Sequence, residues 1–550
     1  MKRKVLSVLL ASAMVMSMAA CGSSENTDAP AQSSEAAPAQ SSEAAPAQSS
    51  EAAPADYQLT EPIVAVVDGT VNYVKEDSGK EEFVSALNAA ISETMGYDIT
   101  VEFTPLDHSG YTDAVGRLFA GGDYPDVMIM NAGMFRQYQT TGILWDMSEA
   151  YANAEFQSRI TMPKINEAIK TADGKMYGFT TNIGGGCPTY VKTAWLDAVG
   201  LKAEDIKTWD DFYNMLTLFT TGDPDGNGIN GDTYGFVAPG LLHAEAPHIN
   251  YAPEFWQDAY PAIVQGEDGV WYDGFQTEET KQALLRLQQA YKDGVIDPES
   301  YTFGTKQARE KYWSNDQTGS AGVFCYWAGS WCENIYNNLV KNEVNTDIVQ
   351  LDPIAEVAAV GGYLNRESPV WVIIDDGDGD DTREQEIFDA FIETMLDGDK
   401  VQTLWTYGAE GTHWSLKAES ITTGAGEKAK TTEYKEGEFH LLPTIADPTA
   451  LFKKNHIDNI SVIAPLTNGY SSTTDRQAQS NEHFAANCVD APAAPSSETY
   501  TNESGNIHTA KDTVISEVVI KGGDVDAAMA KYVETVGAAV EQVLAELNAK

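Results

Sequence analysis

Apolar residues recur along this chain with two different periods, and the periods define its elements. Residues 62–67 (Pro-Ile-Val-Ala-Val-Val) form an apolar run of strand length, ended by Asp68-Gly69. Residues 81–95 place Phe83, Leu87, Ala90 and Ile91 at helical spacing, and Gly96 stops the helix. Residues 99–103 alternate as a strand, residues 111–120 form a short helix closed by Gly121-Gly122, and residues 126–130 are again a buried strand. Strand, helix, strand, helix, strand in this order predicts an α/β fold with a parallel sheet covered by helices. Ligand crevices in such sheets lie at the carboxyl ends of the strands. Asp68 and Asn131 each directly follow an apolar strand, which makes both candidate ligand contacts.

Four later helices are equally legible. Residues 208–219 begin with a Thr cap and carry Phe212, Met215, Leu216 and Phe219. Residues 278–292 carry Leu284, Leu285, Leu287 and Tyr291, and residues 384–396 carry Ile387, Phe388, Phe391 and Ile392. Residues 525–547 present a broad apolar face from Met529 to Leu547, suited to docking on a lobe of the same chain.

The first 56 residues follow a different rule. Lys2, Arg3 and Lys4 precede an apolar run that ends in Met18-Ala-Ala-Cys21. A basic start, an apolar stretch and small residues before a cut describe an export signal over residues 1–20. The run is too short for a membrane span, which needs roughly 20 apolar residues. A cysteine directly after the small residues resembles the lipobox of bacterial lipoproteins, which implies a diacylated (palmitate-type) Cys21 at the mature N-terminus. From residue 29 the octet Ala-Pro-Ala-Gln-Ser-Ser-Glu-Ala runs three times. It has no long apolar side chain to offset the entropy of ordering, so residues 21–56 are expected to be a disordered tether. As a random coil such a tether reaches on the order of 30 Å.

Residues 57–550 are globular in composition, with 43 % hydrophobic and 10 % aromatic residues in the whole chain. Nearly 500 residues exceed what one core serves, so two lobes are expected. The net charge of −47 argues against nucleic acid, anionic lipid and polyanionic partners. A polyuronate or phosphorylated ligand would need a local basic pocket that the sequence does not display. Beyond Cys21 the cysteines are Cys187, Cys325, Cys332 and Cys488, without zinc spacing. Cys325 and Cys332 come close if a helix begins between them; buried free thiols are the alternative. His243 and His248 share a loop without a third metal ligand, and His413 reads as structural. No G-x-S-x-G, H-E-x-x-H or Walker loop occurs, and 82 acidic residues make carboxylate pairs unavoidable and uninformative. The expected class is a binding protein rather than an enzyme, with a surface glycoside hydrolase or lyase, or a receptor for a peptide or other small solute, as the alternatives.

The loop Gly222-Asp-Pro-Asp-Gly-Asn-Gly-Ile-Asn-Gly-Asp-Thr-Tyr-Gly235 is the clearest candidate for metal chemistry. Asp223, Asp225 and Asn227 stand at alternate positions, Ile229 can offer its carbonyl, and Asp232 can close the sphere. Calcium takes 6–8 oxygens, and glycines at 226 and 228 permit the sharp turn around it. The terminal Glu of an EF-hand is missing, since Tyr234 occupies that position, so the expected role is a structural calcium site outside the EF-hand class. The run Asp375-Asp-Gly-Asp-Gly-Asp-Asp381 has poorer spacing and reads as a solvated loop before a helix.

Several phrases occur in one order. They are Gly122-Asp-Tyr-Pro-Asp-Val-Met-Ile-Met130, Asp173-Gly-Lys-Met-Tyr-Gly-Phe179, Trp195-Leu-Asp-Ala-Val-Gly200 with Thr208-Trp-Asp-Asp-Phe-Tyr213, the Asp223 loop, and Gly408-Ala-Glu-Gly-Thr-His-Trp414. Together they resemble the extracellular solute-binding lipoproteins of carbohydrate ABC importers, the alginate- and maltose-binding type. This chain departs from the pattern at Thr180, where proline is frequent, and by one extra residue before Asp232. The resemblance implies a two-lobed periplasmic-binding-protein-like fold with a hinged interlobe cleft that closes on a solute and is then recognised by a permease. By analogy, lobe 1 is expected near residues 57–179 and 352–400, and lobe 2 near residues 180–351 and 401–550. The implied partners are a neutral oligosaccharide, ABC permease subunits and the membrane through the lipid anchor, with the chain acting as a monomer on the outer face of the cell membrane.

Sugars present apolar C–H faces and a rim of hydroxyls, so aromatic platforms and amide or carboxylate acceptors are needed. In segments where the resemblance places the cleft stand Asn182 and Tyr190, Trp256, Trp327, Trp331 and Trp371, Trp327 being the preferred platform. Trp195 and Trp209 belong to helix-entry motifs and are assigned to the core.

Overall fold

The computed structural model describes residues 57–549, apart from residues 70, 76, 140, 172, 183, 241–247, 267, 315–319, 425–428, 456–461, 493, 494 and 496. The export segment, Cys21, the octet repeats and His243 lie outside the described residues, and of His248 only the backbone is described.

The chain divides into two units. Unit 1 holds the described residues up to Asn182 and Pro369–Tyr470; unit 2 holds residues 184–368 and 471–549.

In unit 1, β1 (Ile63–Asp68), α1 (Lys80–Met95), β2 (Val101–Leu106), α2 (Tyr111–Gly121), β3 (Val127–Met130) and α3 (Ala132–Tyr138) follow in order. β1 lies between β2 and β3 and is parallel to both, with Ile63 opposite Val101 and Ala65 opposite Val127. The strand Val370–Ile373 returns on the outer side of β3, antiparallel, with Val370 opposite Met130. β1, β3 and the Val370–Ile373 strand are apolar on both faces because both faces are covered, whereas the edge strand β2 alternates and exposes Glu102 and Thr104. Ile63, Ala65, Val67, Val127 and Ile129 belong to one buried cluster, whereas Val66, Met128 and Met130 belong to another. α1 buries Phe83, Leu87, Ala90 and Ile91, and Gly96 ends it at φ 79°, a left-handed conformation that a side chain would disfavour.

Unit 2 has its own four-stranded sheet, of β4 (Thr189–Lys192), β5 (Tyr234–Val237), β6 (Ala321–Cys325) and β7 (Ile348–Gln350), in the order β5-β6-β4-β7. β5 and β6 are parallel; β4 is antiparallel to β6 and β7. Helix Trp209–Thr221 starts at Thr208, whose side chain accepts from the Asp211 N–H while Asp211 reaches back to the Thr208 backbone. Helix Glu278–Lys292 spans the residues that its periodicity predicts. Residues 384–396 are not one α-helix: helix Thr382–Ile387 continues as a π-helix, Phe388–Glu393.

The expected lobe boundaries need correction at two of three crossings. Residues 352–368 stay in unit 2, because Tyr363–Asn365 pairs in parallel with Cys488–Asp490 and the Tyr363 hydroxyl donates to the Leu351 carbonyl at 3.0 Å. Residues 401–470 belong to unit 1. Helix Lys400–Tyr407 is buried from Val401 onward, and the Trp405 ring meets Phe103, Trp371 and Phe391 at centroid distances of 5.7, 5.8 and 5.4 Å. The Phe103 contact joins residues about 300 positions apart, beyond the reach of local periodicity. His413 is a buried strut of the same unit: its Nδ1 accepts the Ala409 N–H at 3.0 Å, so Nε2 donates to the Ser78 carbonyl at 2.7 Å. Among the described residues Cys187, Cys325, Cys332 and Cys488 are all free thiols.

Candidate functional site

The carboxyl ends of the parallel strands in unit 1 carry a small polar rim. Asp68 closes β1 and is largely buried, with its Oδ2 2.8 Å from Nδ1 of the exposed His108, just past β2. Asn131 follows β3 and is exposed. Its Oδ1 accepts from the Met134 N–H at 2.9 Å, capping α3, and its Nδ2 donates to Thr112 Oγ1 at 3.1 Å. The topology therefore groups Asp68 with His108, and Asn131 with Thr112. His108 and Thr112 carry no signal in the sequence, because they sit one residue or more beyond a strand end or inside a helix. Asn182 is half-buried, and its Nδ2 lies 3.5 Å from Thr181 Oγ1.

Three aromatic candidates are core residues instead. Trp371 is sealed in unit 1 by Phe391 and Trp405, and Trp256 and Tyr190 are fully buried in unit 2. Each lies on or beside an element that is covered on both faces, so no ligand reaches its ring in this conformation. Tyr190 nevertheless has a positioning role: its hydroxyl donates to the Trp327 carbonyl at 2.8 Å.

Trp327 and Trp331 are the two candidates that remain partly exposed, and both carry an arginine. The Arg366 guanidinium sits 4.7 Å over the Trp327 ring, and the Arg309 guanidinium sits 4.7 Å over the Trp331 ring. Arg309 also hydrogen-bonds the Tyr326 hydroxyl, and Trp331 meets Tyr326 edge-on at 5.0 Å. The glycine triplet before β4 builds this surface. Gly185 and Arg366 form a two-way backbone bridge, N to O at 3.2 and 2.8 Å. A Cβ at Gly184 would stand 1.9 Å from the Arg366 carbonyl, and one at Gly186 2.1 Å from the Leu364 carbonyl. Only glycine permits that approach, which holds Arg366 against Trp327. Arg366 Nη1 is buried and, among the described residues, has no hydrogen-bond partner. An unpaired buried donor is costly, and an incoming acceptor oxygen relieves that cost. The sequence does not display these two arginine–tryptophan contacts; only the fold brings the arginines onto the rings.

The Asp223 loop joins helix Trp209–Thr221 to β5 and turns on Gly226, Gly228 and Gly231, all at φ between 73° and 87°. Asn227 Nδ2 donates to Asp225 Oδ2 at 3.1 Å and to Asp232 Oδ2 at 2.8 Å, and Gly228 N–H donates to Asp223 Oδ2 at 3.0 Å. The second oxygens, Asp223 Oδ1 and Asp232 Oδ1, are buried without a partner among the described residues. Burial, with the Asp223 and Asp232 carboxylates alongside, raises the Asp225 pKa. Two buried carboxylate oxygens go unused in an all-oxygen loop, and a hard cation would satisfy them. The donor set therefore fits calcium. Ile229 exposes its side chain, and its N–H donates to Asn227 Oδ1 at 2.7 Å.

The family model of bacterial extracellular solute-binding proteins matches residues 85–407, so the chain belongs to that family. The family is one of extracellular solute-binding proteins. Lipoprotein LipO of Bacillus subtilis is 27 % identical over 269 residues, 48 % of this chain and 50 % of LipO. The polygalacturonan/rhamnogalacturonan-binding protein YtcQ of the same organism is 22 % identical over 68 % of this chain and 72 % of its own length. The chain thus spans about half the length of the first of these relatives. Among solved structures, a solute-binding protein of Bifidobacterium longum infantis described as HMO-binding and ABC-transporter-associated superposes with a TM-score of 0.57 at 15 % identity, covering 89 % of this chain and 98 % of that one. The alginate-binding protein AlgQ2, solved without calcium ion, gives the same TM-score, identity and coverage. These likenesses establish a periplasmic-binding-protein-like fold. Among the described residues no helix is long and apolar enough to cross a membrane.

Proposed function

We propose that this chain captures an oligosaccharide outside the cell and delivers it to the permease of an ABC importer. The observation that carries the reading is the Trp327–Arg366 pair, a partly exposed indole with a guanidinium held 4.7 Å over it and a buried, unpartnered Nη1. A sugar ring packs its C–H face on an indole and offers hydroxyl oxygens to such a donor. Trp331 with Arg309 repeats the arrangement and is proposed as a second platform. Asp68, Asn131 and Asn182 are proposed as further polar contacts.

A neutral oligosaccharide is the first reading. An acidic one is the second, favoured by the two arginines, since carboxylates pair with guanidinium more strongly than hydroxyls do; YtcQ, by its name, binds galacturonate-containing polymers. Calorimetric titration of the purified chain with neutral gluco-, xylo-, manno- and galacto-oligosaccharides and with oligogalacturonides tests both. Heat from the neutral series supports the first, heat from the uronides alone supports the second, and no heat from either overturns the sugar reading.

The remaining parts serve the same task. The Asp223, Asp225, Asn227, Ile229 and Asp232 loop holds a structural calcium, with the two orphaned carboxylate oxygens as its support. Residues 1–20 export the chain, a lipid on Cys21 anchors it to the outer face of the membrane, and residues 21–56 let the folded units, acting as a monomer, swivel near the permease. Mass spectrometry of the membrane-extracted N-terminus reads the lipid directly.

A further inference from the structure

The second acidic run is exposed from Asp376 to Asp381, as its spacing predicts, but Asp375 at its start is half-buried and Glu384 just beyond it is buried. The run lies in unit 1, between the edge strand Val370–Ile373 and helix Thr382–Ile387. Carboxylate oxygens of Asp375, Asp376 and Glu384 stand within 4.8 Å of one another. Glu384 is 2 % exposed, and its Oε2 is buried without a hydrogen-bond partner among the described residues. Each of the three carboxylates has one oxygen fixed by a backbone N–H. Glu384 Oε1 accepts from Asp376 at 3.0 Å, Asp375 Oδ1 from Gly377 at 2.8 Å, and Asp376 Oδ1 from Asp378 at 2.9 Å.

No protein cation compensates this group from within its own segment. Arg383 is the single basic residue of the stretch 375–384, and its Nη2 is 2.8 Å from Asp126 Oδ1. Asp126 is fixed in turn, because its Oδ2 accepts the Val64 N–H at 2.8 Å. Three like charges at this spacing repel, and a buried carboxylate oxygen without a partner is costly. The backbone under them is rigid: Asp375 N–H donates to the Ile143 carbonyl at 2.9 Å, and Ile374 N–H to the Asp126 carbonyl at 2.9 Å. The donors are all oxygen, which suits calcium or magnesium and not zinc or copper.

We propose that Asp375, Asp376 and Glu384 form a cation site separate from the Asp223 loop, one that takes a hard divalent ion of the calcium class. Asp376 is exposed, so water completes the coordination from that side and the ion enters there. The ion ties the turn after the edge strand to the buried segment Phe388–Ile392, which carries the unit 1 core.

The test is calcium titration of the full chain, followed by calorimetry and by native mass spectrometry for stoichiometry. The background is the double variant Asp223→Asn with Asp225→Asn, which silences the other loop. This background is expected to bind one calcium, and adding Glu384→Gln is expected to weaken that binding at least tenfold. Asp376→Asn, at an exposed position that does not endanger folding, is expected to act in the same direction. A background variant that binds no calcium overturns the proposal, as does one whose binding is unchanged by Asp376→Asn and by a Glu384→Gln form with a native circular dichroism spectrum. If the wild-type chain binds a single calcium and loses it with Glu384→Gln, the Asp223 loop reading fails and this site stands.

Discussion

Glu254 gives the sharpest energetic prediction. It lies on the short helix Pro253–Trp256, 1 % exposed, and its Oε1 accepts from the Thr189 hydroxyl at 2.5 Å. Its other oxygen faces the Cys325 thiol at 3.8 Å. Burial raises the pKa of this carboxyl from 4.5 to about 7, against a smaller opposing effect of the Thr189 hydrogen bond. Below the unfolded value the group is protonated in both states and adds no pH dependence. Between the two values the unfolded chain ionises and the folded chain does not, so the native state binds more protons and stability falls as pH rises. Above the folded value both states are ionised and the penalty is constant. At about 1.36 kcal/mol for each pKa unit, the full penalty is on the order of 3 kcal/mol. Glu254→Gln keeps the shape and the acceptor for Thr189 but removes the ionisation. The variant is therefore expected to be more stable than the parent by about 3 kcal/mol near pH 8 and by under about 1 kcal/mol near pH 5. In a unit of this size that is a rise in Tm of roughly 6–12 °C at the higher pH. Scanning calorimetry of both chains across this range is the assay. An equal difference at both pH values would refute the reasoning, because it would mean that the carboxyl ionises in the fold as freely as in water.

Three further outcomes are expected. Trp327→Ala weakens oligosaccharide binding about tenfold, roughly 1.4 kcal/mol, with a smaller loss of Tm than truncation of a fully buried indole, as read by calorimetric titration and thermal melting. Trp371→Ala does the reverse: loss of a buried indole costs unit 1 about 3–5 kcal/mol in denaturant unfolding, with no direct contact to the solute removed. Chelating calcium lowers the melting temperature of the wild-type chain, since an ion at 100 times its Kd stabilises by about 2.7 kcal/mol, and Asp223→Asn with Asp225→Asn removes at least part of that response.

Local pattern by itself determined a large part of this protein. The β1-α1-β2-α2-β3 order, the Thr208 cap, the helix at 278–292 and the glycine-supported loop at 223–232 are all set by residues within a turn or two of one another, so periodicity and turn chemistry display them. Tertiary structure alone decided which aromatic residues face solvent. Trp256, Trp327 and Trp371 look alike in sequence, yet elements distant in the chain close over the first and third and leave the second partly open beneath Arg366. The same holds for the placement of residues 401–470, for the arginines on Trp327 and Trp331, and for the buried oxygen of Glu384. Secondary structure is encoded by neighbours along the chain, whereas burial and charge pairing depend on neighbours in space, and only the completed fold selects those.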